Sequence, residues 1–105
     1  MSKRTKIEED GETLAVERDK SKKPKRYFVL MHNDDYTTQE FVVHVLMHFF
    51  HKAEPEAYRM MLMVHVQGKA KVGVYTKDVA ESKVAIVMDH ARQNGMPLLL
   101  TAEPE

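Results

Sequence analysis

Residues 27–51 read YFVLMHNDDYTTQEFVVHVLMHFFH, and the succession of patterns in this stretch decides the fold. Tyr27 to His32 is an apolar run with aromatic and β-branched content, the composition of a strand. Asn33-Asp34-Asp35 stops it, because Asn and Asp side chains bond their own backbone and favour turns. Thr37 followed three residues later by Glu40 has the spacing of a capping box, which predicts that a helix opens there. Phe41, Val42, Val45, Leu46, Phe49 and Phe50 then recur at helical spacing to about His51.

Working outward from this unit, Ala53-Glu54-Pro55 breaks the first helix and starts a second, with Pro55 suited to a first turn. Ala57, Met60, Met61 and Val64 form its apolar face, and Gly68 offers a left-handed cap after Gln67. Residues 71–76 are short and β-rich, hence a strand. Thr76 or Asp78 opens a third helix with Ala80, Val84, Val87, Met88 and Ala91 on one face. Asn94-Gly95 closes it, Pro97 follows, and residues 98–101 make a last short strand. The predicted class is α+β: a compact two-layer α/β sandwich of order βααβαβ, with three strands and three helices.

Upstream the composition changes. Residues 1–26 hold nine basic and six acidic residues, no aromatic and few apolar ones. Such a stretch cannot offset its chain entropy by burial, so a flexible charged arm is expected before a core domain at 27–105. Its basic cluster at Lys22, Lys23 and Lys25 suits a solvated linker, with contact to RNA or a membrane surface as the alternative. Over all 105 residues, 16 basic groups balance 16 acidic ones. That balance argues against a general nucleic-acid binder. No apolar run approaches the ~20 residues of a membrane span. The absence of cysteine removes disulfides, thiolate nucleophiles and zinc–thiolate sites. Cytoplasmic residence and a monomer are the expectations, with no membrane partner.

Three groups of residues could carry chemistry. His44, His48 and His51 stand at i, i+4 and i+7 on one helix face, a spacing able to capture Ni²⁺ or Zn²⁺. The core stripe lies nearly opposite, so these histidines are expected to face solvent, and no resident metal or cofactor is assigned. Asn33, Asp34 and Asp35 serve either as turn formers or as a cluster of acceptors. His65 ends the run Met60-Met61-Leu62-Met63-Val64, which is either core or an adaptable apolar pocket. No Ser–His, Cys–His or HExxH arrangement exists, so an enzyme is not expected.

Several separated motifs together carry a resemblance. They are Asn33-Asp34-Asp35-Tyr36-Thr37 with Glu40-Phe41-Val42, Met61-Leu62-Met63-Val64-His65 with Gln67-Gly68-Lys69-Ala70, and Gly73-Val74-Tyr75-Thr76. Val79-Ala80-Glu81-Ser82-Lys83-Val84 and Pro97-Leu98 complete the set. In this order and spacing, over residues 27 to about 103, the chain resembles the ClpS family of protease adaptors. The resemblance implies recognition of proteins by a destabilising N-terminal residue (Leu, Phe, Tyr or Trp). It also implies delivery of these N-degron substrates to the N-terminal domain of a Clp AAA+ unfoldase, which works with its peptidase.

By the same resemblance, Asn33, Asp34, Asp35 and His65 match the groups that bind the substrate α-amino group. Met31, Thr37, Gln39, Val42, Met61, Val64 and Leu98 match positions around the side-chain pocket. Asp78 and Lys83 match unfoldase contacts, and the arm matches a segment used in handover. The chemistry agrees: an α-ammonium is a cation with three donors, and Asn33, the carboxylates and a neutral His65 are acceptors. Two departures stand out. Thr38 and Gln39 replace the Pro and Met of many members, and His32 replaces an aliphatic residue. A polar Gln39 resists burial in a dry pocket, which predicts a looser gate and better tolerance of Ile or Val as first residue. The two other classes left open are a small His-rich metal binder and a basic-arm nucleic-acid binder.

Overall fold

The computed structural model describes residues 25–105. The charged arm expected over 1–26 therefore lies outside the described residues, except for Lys25 and Arg26. The elements run β1 (Arg26–His32), α1 (Gln39–Phe49), α2 (Glu54–Gln67), β2 (Lys69–Thr76), α3 (Lys77–Gln93) and β3 (Leu99–Pro104). This is the predicted order and class.

The sheet has the order β2-β1-β3, antiparallel throughout. As the central strand, β1 buries Val29, Leu30 and Met31 in succession. Val29 pairs with Gly73 and Leu30 with Lys71, so β2 carries one extra residue, Val72, at a bulge. Both outer strands are longer than predicted, because backbone pairing with β1 recruits residues that have little strand preference of their own. Arg26 joins the sheet in the same way. Its guanidinium donates to the Glu105 carboxylate at 2.9 and 3.3 Å, and Glu105 N–H donates to the Arg26 carbonyl at 2.9 Å.

One apolar cluster joins the layers. Val29, Met31, Val72 and Leu100 of the sheet meet Val45, Leu46, Met60, Val64, Val87 and Ala91 of the helices. Each large aliphatic side chain fully buried there contributes about 1.5–3 kcal/mol. Against this core α2 and α3 pack on the strands, and α1 packs on α2 and α3.

Helix ends follow local chemistry, with one correction. Thr38, not Thr37, caps α1, its Oγ1 accepting from Phe41 N–H at 3.1 Å. Thr37 instead donates its hydroxyl to the Asp34 carboxylate, a charged and therefore stronger acceptor. At the other end of α1 the chain turns early. Phe50 ends the helix and His51 has φ 57°, which takes it off the helical face. Pro55 sits in the first turn of α2, and Gly68 closes that helix at φ 89° with its N–H on the Val64 carbonyl. Among the described residues no helix is long and apolar enough to cross a membrane.

Candidate functional site

The loop between β1 and α1 is built on Asp34. Its Oδ1 accepts from Tyr36 N–H at 2.8 Å and Thr37 N–H at 2.7 Å, while Oδ2 accepts from Thr37 Oγ1 at 2.7 Å. Burial alone would raise the Asp34 carboxyl. The Thr37 hydroxyl, the two backbone donors and the charge of Arg92 outweigh it and hold the group below its ordinary value. Asn33 anchors the start of this loop, its N–H donating to the Gly68 carbonyl at 2.9 Å. The β1–α1 loop is thereby tied to the end of α2, which brings Asn33 near His65, three residues before Gly68.

Between these elements lies a cavity of about 210 Å³. Asn33, Asp34, Asp35 and His65 contribute its polar wall. Val42, Met61 and Val64 contribute the apolar wall, with Thr37 and Gln39 from the entry of α1. Among the described residues the side chains of Asn33, Asp35 and His65 have no hydrogen-bond partner in the protein, whereas Asp34 is fully engaged in its loop. The arrangement joins free acceptors to a buried apolar wall, which suits a ligand with a cationic head and a greasy side chain.

Nine of the eleven residues anticipated around this site thus meet at one cavity. Met31 and Leu98 do not line it. They are 0% and 1% exposed and belong to the core that also holds Val42, Met61 and Val64. Met31 points inward from the central strand, and Leu98 is drawn under the sheet as the chain enters β3. Gln39 is exposed and stands at a boundary. It also lines a neighbouring hollow of about 280 Å³ with Glu40, Val43, Tyr58 and Met61. His32 faces away from the cavity lining, its Nε2 2.9 Å from Thr101 Oγ1 on β3.

Asp78 and Lys83 meet elsewhere, at an apolar hollow of about 260 Å³ with Phe49, Val79, Ser82 and Ile86. Lys83 is not a solvated charge. Its Nζ donates to the Phe49 carbonyl at 2.6 Å, which caps the end of α1 from α3.

Two residues escaped the sequence reading. Arg92 donates to the carbonyls of Met96 at 3.1 Å and Leu98 at 3.0 Å, pinning the turn before β3, and its charge reaches Asp34. A basic residue in the last turn of a helix followed by Asn-Gly was the available signal. The other is His90, which packs with His44. The histidines are accordingly not all solvent-facing: His44 and His90 are half-buried among Phe41 and Phe49.

The family model described as ATP-dependent Clp protease adaptor protein ClpS matches residues 22–101. The chain belongs to the ClpS family. It is 52% identical over 96 residues to the ATP-dependent Clp protease adapter protein ClpS of Deinococcus radiodurans, covering 91% of this chain and 85% of that protein. With the ClpS of Myxococcus xanthus it shares 53% identity over 93 residues, 89% of this chain and 87% of the relative. Among solved structures it is similar to Agrobacterium tumefaciens ClpS2 bound to L-phenylalaninamide. That match has a TM-score of 0.77 and 42% identity, and covers 79% of this chain and 100% of the other. Membership makes the protein a ClpS-type adaptor of the Clp protease system.

Proposed function

We propose that the protein grips substrates by a free α-amino group and a bulky apolar first side chain, Leu, Phe, Tyr or Trp, and delivers them to a Clp AAA+ unfoldase and its peptidase. The observation that carries this reading is the cavity itself. Asn33, Asp35 and His65 present unpartnered acceptors beside the apolar wall of Val42, Met61 and Val64. Asp34 adds negative charge and holds the loop. The ligand of the Agrobacterium relative has this chemistry, an amino group next to a large apolar side chain.

Hydrogen bonds to a charged group contribute about 1.5–3 kcal/mol each, and burial of the side chain about as much again. After association costs, an affinity on the order of micromolar follows. Acetylation removes the charge and leaves the acceptors unpaired, so it abolishes binding. Protonation of His65 turns an acceptor into a donor beside a cation and weakens binding. The apolar hollow rimmed by Asp78 and Lys83 faces the unfoldase. The adaptor acts as a cytoplasmic monomer and cuts nothing.

Fluorescence anisotropy with peptides that differ only at the first residue tests this. Leu and Phe peptides should bind, while Ser and acetylated Leu peptides should not. Equal binding of free and acetylated Leu peptides would refute the reading.

A further inference from the structure

Sequence spacing placed His44, His48 and His51 on one helical face, but the fold exchanges the third member. His51 leaves α1 at φ 57°, and His90 arrives from α3. The Nε2 atoms of His44 and His90 are 3.3 Å apart. The His48 ring lies one turn along α1, its centroid 4.3 Å from that of His44. The His90 ring is held between Phe41, stacked at 5.6 Å, and Phe49 at 5.0 Å.

We propose that His44, His48 and His90 form a binding site for an imidazole-preferring divalent transition metal, Zn²⁺ in the first instance, that bridges α1 and α3. The ligand type selects the metal class. Imidazole nitrogens suit Zn²⁺, Ni²⁺ and Cu²⁺, whereas Mg²⁺ and Ca²⁺ require oxygen ligands. Distance fits as well. Zn–N bonds of about 2.0–2.1 Å in a tetrahedron set the nitrogens about 3.3 Å apart. His44 and His48 at i and i+4 have the spacing by which two helical histidines share one zinc.

Little ordering remains to be done, since Lys83 and the aromatic rings already hold α1 against α3. Among the described residues no group of three or more His, Cys, Asp or Glu side chains stands so that it could hold a metal ion as they are placed, so the third ligand must move. His44 and His90 supply the first two ligands. The exposed His48 closes the third by side-chain rotation, and water takes the fourth. Without metal, the His44–His90 pair shares one hydrogen bond, with one ring donating and the other accepting.

The test uses the full chain without an affinity tag. Zn²⁺ is titrated by calorimetry, and Co²⁺ by its visible absorbance, which reports coordination geometry. One ion should bind per chain with a Kd at or below about 10 μM. His48→Ala, an exposed position that leaves the core intact, should weaken binding at least about tenfold, as should His90→Gln. His51→Ala should change nothing. Zn²⁺ should also raise the melting temperature of the native chain by more than that of His48→Ala at the same concentration. A Kd above about 100 μM, affinity unchanged in His48→Ala, or affinity lost in His51→Ala would each overturn the site.

Discussion

Asp34 accepts both the backbone N–H and the hydroxyl of Thr37, each at 2.7 Å, so the acid that opens the turn also takes the threonine that the sequence offers as a helix cap. The consequence is a division of labour within Asn33-Asp34-Asp35. Asp34 shapes the loop and leaves its two neighbours free to face the cavity.

Asp34→Ala should therefore loosen the loop rather than delete one ligand contact. A loss of about 1 kcal/mol in stability is expected for bonds this close to solvent, together with weaker peptide binding. Asp34→Asn keeps a carbonyl acceptor for the two backbone donors and should retain part of both. Because the native carboxyl lies below its ordinary value of 3.8, its stabilisation is complete above that pH and is lost as the pH falls through the native value. Denaturant midpoints measured across the acid range, with peptide anisotropy, check this. Equal behaviour of the two variants would contradict it.

A second acid response belongs to His44. Burial, then the charges of His48 and His90, push its value below the ordinary 6.5. The native protein thus binds this proton more weakly than the unfolded chain. Its stabilisation is complete above about pH 6.5 and declines as the pH falls towards the native value. Urea midpoints at about pH 7.5 and 5.5 should differ, and His44→Gln should narrow the difference. An unchanged difference would show that other groups carry it.

Gln39 stands between the site cavity and the hollow lined by Glu40, Val43, Tyr58 and Met61. A side chain with a polar end prefers the open side. Gln39→Met should then reduce the affinity for Ile- and Val-starting peptides by more than that for Leu-starting ones. Anisotropy across the three peptides decides the matter, and a uniform change would sink the idea.

Lys83 and Asp78 border one hollow but differ in what they hold. Lys83→Met removes the bond to the Phe49 carbonyl and should lower stability by about 1 kcal/mol after allowance for solvent. Asp78→Ala should lower it by less than about 1 kcal/mol, the usual size of a first-turn charge effect. Both should reduce unfoldase-dependent degradation of a Leu-starting substrate while peptide affinity stays constant. Normal degradation by Asp78→Ala would remove this hollow from the delivery surface.

Gly68 couples the α2 end to the site. Its φ of 89° is in the left-handed region, and its carbonyl receives the Asn33 N–H. Gly68→Ala should cost about 1–2 kcal/mol and weaken peptide binding through Asn33. Thermal melts and anisotropy on one sample would reveal the link; a stability loss without an affinity change would break it.

Much of this molecule was legible one residue at a time. The strand run at 27–32, the Asx turn, the apolar periodicity of three helices and the Gly68 cap are local signals, and each acts through bonds or burial within a few positions. Local chemistry therefore determined the element order and, through it, the class of fold. The motifs around Asn33 and His65 likewise marked residues that line one cavity. What only the tertiary structure decided lies in contacts between distant segments. Lys83 reaches the Phe49 carbonyl across 34 positions, and His90 meets His44 across 46. Met31 on the central strand and Leu98 at the entry to β3 are both buried in the core between sheet and helices. Spacing within one helix cannot report these pairings, since they depend on where packing sets a second element, and packing is a property of the assembled core.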